Sequence, residues 1–250
     1  MKISATIITL NEERNIERCI CSLKNVADEI IVLDSNSTDR TEEICLKHKV
    51  TFVKRDWEGY AASKNYLNTL ANYNYILSMD ADEAVDAELE QELLKVKEVE
   101  SPELYSVNRM TNYCGKWIKH AGWYPDVKTR LFPKEGCFWD GEFVHEELVC
   151  PKELKTTQLK GHLSHYSYYS YKDHRQRADK YSVLTAQKMH KAGKRASALK
   201  PLLSGVTRFI SMYVLKAGFL DGKMGFKIAQ ISAQSNVFKY QELRRLNQAK

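Results

Sequence analysis

At 250 residues, 43% hydrophobic and 28% charged, the chain is long enough to bury one large core, and its composition excludes a disordered or fibrous protein. The net charge of +6 is unevenly spread: from Lys172 to Lys250, 17 Lys and Arg face four acidic residues (Asp173, Asp179, Asp221, Glu242), which leaves residues 1–171 net acidic. The start of the chain lacks a signal-peptide cleavage site and no segment has the ~18 uninterrupted apolar residues of a spanning helix, so a protein neither secreted nor crossing a membrane is expected.

Ile3 to Leu10 reads as a first strand, and Ile16, Cys19, Ile20 and Leu23 follow at helical spacing. Glu29 to Asp34 is a second apolar strand that ends in a carboxylate. The turn and capping residues Ser35 to Thr41 come next, with Asp39 and Glu42 at capping-box spacing. Thr51 to Lys54 is a third strand and Ala61 to Leu70 a helix. Tyr75 to Met79 is a short apolar run, too short for a helix, so it predicts a strand buried on both faces. Strands alternating with helices predict a mainly parallel sheet covered on both sides. The polar groups at three strand ends, Asn11-Glu12-Glu13, Asp34 and Asp80-Ala81-Asp82, then share one rim, where open α/β sheets bind ligands. A hard divalent cation on Asp80, Asp82 or Glu83 would offset the repulsion of clustered carboxylates. Taken alone, the same cluster also reads as a solvated acidic turn before a helix.

Asp86 predicts the cap of a helix with Leu89, Leu93 and Val96 on its apolar face, ended by Pro102, and Leu104 to Cys114 and Val127 to Phe132 read as strands. Between these strands lies a segment dense in aromatics and glycine, including Trp117, His120, Trp123 and Tyr124. It suits either a loop over a sugar ring or a packed surface loop. His162 and His165 lie three apart before Tyr166 and Tyr168. From Tyr181 the chain is basic and helical. Leu202, Val206, Phe209, Ile210, Tyr213 and Ala217 form an apolar stripe, read either as a packing face or as an interfacial helix on anionic lipid. The six cysteines (19, 21, 45, 114, 137, 150) have neither zinc-site spacing nor the density of a disulfide framework. Free thiols in a reducing cytosol are expected.

Three segments, Thr6-Ile7-Ile8-Thr9-Leu10-Asn11-Glu12-Glu13, Val32-Leu33-Asp34-Ser35-Asn36-Ser37-Thr38-Asp39-Arg40-Thr41 and Leu77-Ser78-Met79-Asp80-Ala81-Asp82-Glu83, resemble in order and spacing the inverting family 2 glycosyltransferases of GT-A fold. Gly122-Trp123-Tyr124-Pro125-Asp126, Arg130-Leu131-Phe132, Val144-His145-Glu146, His165-Tyr166-Ser167-Tyr168 and Gly218-Phe219-Leu220-Asp221-Gly222 are similar to the bacterial subgroup of lipopolysaccharide core β-1,4-glucosyltransferases. The resemblance covers nearly the whole chain and implies an α/β, Rossmann-like GT-A fold with a predominantly parallel sheet flanked by helices; the charge split divides it into a catalytic domain over 1–171 and a basic helical extension over 172–250. The resemblance also implies that Thr9, Asn11, Glu13, Asp34 and Asp80 hold a nucleoside-diphosphate sugar, UDP-sugar as first choice, and that Asp82 binds Mg²⁺ or Mn²⁺. His165 is a second candidate for the metal or diphosphate, and Lys64 for a phosphate or an aspartate. Trp123, Tyr124 and Asp126 are expected on the acceptor side. Inversion needs a base for the attacking hydroxyl: Glu146 is the first choice, with Asp126 and Glu147 competing. Asn36 stands where the family more often has glycine, and asparagine tolerates the left-handed conformation such a turn needs.

The expected activity is hexosyl transfer, glucose as first guess, to a saccharide or glycolipid acceptor in cell-surface glycan or lipopolysaccharide core synthesis. The expected place is the cytoplasm, peripheral on the inner face of the membrane. A sugar nucleotidyltransferase is the competing enzyme, although Asn11-Glu12-Glu13-Arg14 is a poor match for the glycine-rich basic loop of that class. A non-catalytic nucleotide or nucleic-acid binding module is the other alternative. The tail carries no nucleic-acid motif, so no nucleic acid is expected.

Overall fold

Ile3–Thr9 is buried along its whole length and forms β1, the strand around which the first half of the chain is laid down. In this computed structural model, which describes residues 1–99, 103–141 and 146–248, there follow α1 (Ile16–Leu23), β2 (Glu29–Asp34), α2 (Thr41–Lys47), β3 (Thr51–Lys54), α3 (Tyr60–Leu70) and β4 (Tyr75–Asp80). Next come β5 (Glu83–Val85), α4 (Ala87–Val96), β6 (Leu104–Tyr113), β7 (Lys116–Trp117), β8 (Val127–Pro133), β9 (Phe138–Asp140), β10 (Glu147–Val149) and β11 (Thr156–Tyr168). The chain ends in α5 (Tyr171–Lys191), α6 (Lys200–Ile210), a π-helical turn (Ser211–Leu215), a 3-10 turn (Gly218–Asp221) and α7 (Gly222–Gln248). Pro102, expected to end a helix, and Phe143, Val144 and His145 lie outside the described residues.

The fold is a mixed α/β architecture. β3, β2, β1 and β4 lie side by side in that order and run parallel, so the chain winds outward from β1 in one direction and then crosses to its other side. The register sets Thr9 opposite Asp34 and Ile8 opposite Asp80, which brings the ends of β1, β2 and β4 to one level. β8 then adds antiparallel to β4, and β6 antiparallel to β8, so the parallel half is continued by an antiparallel half. Ile16, Cys19, Ile20 and Leu23 of α1 and Leu89 and Leu93 of α4 join one core layer, and Leu67 of α3 joins another with Phe132 and Trp139.

Two compact units emerge from the contacts, one of residues 1–109 and 126–166 and the other of residues 110–125 and 167–250. The charge-based division at 171 therefore differs from the packing, because Met110–Pro125 folds with the C-terminal helices. That unit has its own core of Tyr113, Ile118, Ala121, Met212, Ile228 and Ala229.

Most expected elements form within a residue or two of their expected ends, and Asp86 caps α4 by accepting from Leu89 N at 2.8 Å. Four local readings change. The box between Asp39 and Glu42 does not close: Asp39 accepts from the Thr41 amide and hydroxyl, while Glu42 pairs with Lys54 at 2.6 Å. Cys137 and Cys150 form a disulfide, so the expectation of free thiols holds for Cys19, Cys21, Cys45 and Cys114 alone. The thirteen-residue strand β11 runs through the segment where only a histidine pair was noted. The stripe on α6 is divided, because Phe209 and Tyr213 pack toward the unit's core whereas Leu202, Val206 and Ile210 face solvent.

Candidate active site

The rim of the first unit is built from the loops that follow β1, β2 and β4. Asp34 is fully buried, and its carboxylate accepts from the Ser37 amide at 2.8 Å and from the Ser37 hydroxyl. Asn36 next to it has φ 63°, the left-handed conformation expected of the residue that replaces glycine. The β1 and β2 loops are stapled together: Asn11 N donates to Ser37 Oγ at 2.7 Å, Asn11 Oδ1 accepts from Thr38 N at 2.8 Å, and Glu13 accepts from the Arg40 amide and guanidinium. Asn11 and Glu13 thus hold the two loops together. Thr9 Oγ1, level with Asp34, is buried with no hydrogen-bond partner among the described residues.

At the end of β4 the charges alternate in sign. Arg130 on β8, 4% exposed, donates from Nη2 to Asp80 Oδ2 at 2.9 Å and also to Glu83 Oε1. Glu83 is 1% exposed; its Oε2 accepts from the Asp80 amide at 3.0 Å, and Arg109 lies 3.4 Å from its Oε1. Lys64 on α3, 3% exposed, reaches Asp80 Oδ1 at 3.3 Å and Glu146 Oε1 at 3.0 Å and sits over the Trp139 ring. Burial would raise the Asp80 carboxyl, but Arg130 and Lys64 outweigh it and hold it well below the usual carboxylate range. Every buried charge here has a partner, the condition under which burial is tolerated. Arg109 and Arg130 were given no role in the sequence reading. The available signal was an arginine in the apolar middle of a strand, Arg130-Leu131-Phe132, in a chain with a surplus of strand-end acids.

Asp82 and His165 face each other with Oδ2 and Nε2 3.3 Å apart, each side chain about 15% exposed. Tyr166 N donates to the Asp82 carbonyl at 2.8 Å, which fixes β11 against the acidic turn. A carboxylate beside an imidazole fits a divalent cation whose remaining ligands are phosphate oxygens and water. Among the described residues no group of three or more acidic, histidine or cysteine side chains is placed to hold a metal ion.

Asp126 accepts from Arg109 Nε at 2.9 Å and Nη2 at 2.8 Å and has Lys128 at 3.1 Å. Burial opposes its ionisation, yet Arg109 and then Lys128 hold its carboxyl below the usual range. Glu146 has one Oε on Lys64 and the other without a partner among the described residues. Glu147 opens β10 and is exposed. Trp123 and Tyr124 belong to the second unit. There the Trp123 ring packs 5.6 Å from Tyr113, 5.5 Å from Tyr168 and 5.6 Å from His174, within an aromatic cluster rather than in an open loop.

The sequence profile described as Glycosyl transferase family 2 matches residues 4–148. An uncharacterized glycosyltransferase of Rickettsia bellii is 30% identical, over 98% of this chain and 87% of its own. The lipopolysaccharide core biosynthesis glycosyltransferase LpsC of Rhizobium meliloti is 28% identical, over 93% of this chain and 88% of its own. Among solved structures, S. aureus TarS 1-349 is 15% identical, covers 98% of this chain and 90% of its own, and gives a TM-score of 0.45. Glucosyl-3-phosphoglycerate synthase from Mycobacterium tuberculosis, in complex with Mn²⁺, UDP and glucosyl-3-phosphoglycerate, is 22% identical over 44% of each chain, with a TM-score of 0.38.

Proposed function

The chain belongs to glycosyl transferase family 2, and on that premise we propose that it is a metal-dependent inverting enzyme that moves a hexose, glucose as first choice, from a UDP-sugar to a saccharide or glycolipid acceptor in cell-surface glycan or lipopolysaccharide core synthesis. Its relative LpsC supports the class of pathway. The reaction is assigned to the cytoplasmic side of the membrane, and no helix of the described residues is long and apolar enough to cross it.

The observation that carries this reading is the bridge by Lys64 from Asp80 at the strand-end rim to Glu146. One ammonium, 3% exposed, fixes a donor-side carboxylate and an acceptor-side carboxylate relative to each other. In this reading Thr9 Oγ1 and Asp34 receive the base and ribose. Arg130, held by Glu83, keeps Asp80 ionised and oriented toward the donor. Asp82 and His165 would hold Mg²⁺ or Mn²⁺, which when bound neutralises charge on the departing nucleoside diphosphate. Glu146 takes the proton of the attacking hydroxyl at its free carboxylate oxygen while Lys64 holds the other. Asp126, chelated by Arg109, has both oxygens engaged and serves better to position Arg109 than to accept a proton.

A screen of nucleotide sugars with Mn²⁺, reading donor-dependent thermal stabilisation and then transfer, tests the reading. Release of nucleoside diphosphate is expected. Release of pyrophosphate from a sugar phosphate and a nucleoside triphosphate would make the protein a nucleotidyltransferase instead.

A further inference from the structure

Helix α6 is built inside out. The residues it turns toward α7 are small: Ser204 Oγ lies 3.5 Å from the Asn236 carbonyl, and a Cβ added to Gly205 would come within 2.5 Å of Val237 Cγ2, so only glycine permits this approach. The large aliphatic residues are left largely exposed. Leu199 is 66% exposed, Leu202 63%, Leu203 57% and Leu215 77%, and Val206, Ile210 and Val214 continue the face at helical spacing. Tyr213 packs against Phe219 and Phe226, both at least 40% exposed, which carries the apolar surface on to the 3-10 turn and the start of α7. Between α6 and α7 lies a shallow groove of about 330 Å³ lined by Leu202, Val206, Phe209, Ile210 and Val237. A contiguous face of this kind on a water-exposed protein marks a docking surface.

The charge around it selects the occupant. From Lys180 to Gln241 the chain carries eleven Lys and Arg and one acidic residue, Asp221. Asp221 is itself 4% exposed and tied to His120, so it offers no negative charge to a partner. Lys191, Lys194, Arg195, Lys200, Arg208, Lys216 and Lys223 are all exposed. A second copy of the chain would bring this same basic rim against itself. Exposed aliphatic side chains with aromatics, edged by lysine and arginine, match hydrocarbon beneath a layer of anionic phosphates.

We propose that the α6 face of the second unit, from Leu199 through Leu220, docks the protein on an anionic lipid bilayer surface. The aliphatic residues enter the boundary between headgroups and acyl chains, and the basic rim lies against the phosphates. The inference stands on this unit alone and does not depend on the reaction proposed for the first.

Co-sedimentation of the full chain with vesicles of phosphatidylcholine, and of phosphatidylcholine with phosphatidylglycerol, tests it. Strong binding to the anionic vesicles is expected, weakened by added salt. The pair Leu203→Glu and Leu215→Glu, which alters exposed side chains only, is expected to lower the partition coefficient by at least about tenfold. Circular dichroism and the melting temperature of that variant should match the wild type. Lys194→Glu with Lys200→Glu should reduce anionic binding and leave neutral vesicles unaffected. No sedimentation with anionic vesicles would overturn the proposal. So would concentration-dependent dimerisation that the leucine variants abolish in the absence of lipid, which would give the face to a second copy.

Discussion

In the first unit Arg130, Glu83 and Lys64 are almost completely buried, whereas in the second Leu199, Leu202 and Leu215 stand mostly in solvent. Each region inverts the ordinary rule of apolar inside and charged outside, and each inversion has its own compensation. Arg130, Glu83 and Lys64 each face an opposite charge, so the protein itself supplies their partners. The leucines are left exposed among the described residues, and the proposed lipid surface is what would cover them.

The largest expected effect comes from unbalancing the charge cluster. Arg130→Met leaves Asp80 and Glu83 without their shared cation, and a loss of about 3–5 kcal/mol in denaturant stability is expected. The double variant Arg130→Met with Glu83→Leu removes the surplus charge and should recover part of it. A double variant no more stable than the single one would show that the pairing is not what holds this region.

The second unit is not loosely built, and His174 makes that measurable. Burial first, and then Arg177, push its imidazole down to about 4 from 6.5. Its depressed folded value means that the neutral form is the stable one. Its contribution is complete above pH 6.5 and drains as pH falls toward 4, by up to about 3 kcal/mol. His174→Phe should flatten that part of the stability profile. Asp80 has the same sign in a lower window, its contribution full above the usual carboxylate range and lost as pH falls through it.

A matched pair of leucines, one buried and one exposed, includes the smallest expected effect. Leu131→Ala in the buried core should cost about 2–5 kcal/mol, and Leu215→Ala, 77% exposed, less than about 0.5 kcal/mol. Comparable losses at the two sites would mean that the α6 face is covered within the protein, and the contrast between the units would fail.

How much of this was legible in the sequence follows from the range of each signal. The strand at Tyr75–Asp80 and the carboxylates behind it could be read because burial on both faces leaves a local mark, an unbroken apolar run. The left-handed turn at Asn36 was equally local. The apolar stripe was legible as a set of residues but not as a direction, because helical spacing tells which side chains share a face and not which face the protein covers. Residues 110–125 were counted with the first half of the chain, and contacts with segments roughly fifty to a hundred residues away, among them Tyr168, His174 and Asp221, place them in the second unit. The Cys137–Cys150 bridge was missed because two cysteines 13 apart carry no pairing signal of their own. Arg130 escaped because a lone arginine on a strand looks like a solvent-facing residue until the acids opposite it are known.

The most direct test of the proposed site sets two substitutions side by side. Transfer from the donor found in the screen, and stabilisation by UDP with Mn²⁺, are measured for the wild type, Asp82→Ala and Glu146→Gln. Both variants are expected to lose transfer by about 10²-fold or more, with stabilisation by UDP and Mn²⁺ lost in Asp82→Ala and kept in Glu146→Gln. Normal turnover by a folded Glu146→Gln protein would contradict the assignment of the base, and unchanged metal-dependent stabilisation of Asp82→Ala would contradict the assignment of the metal ligand.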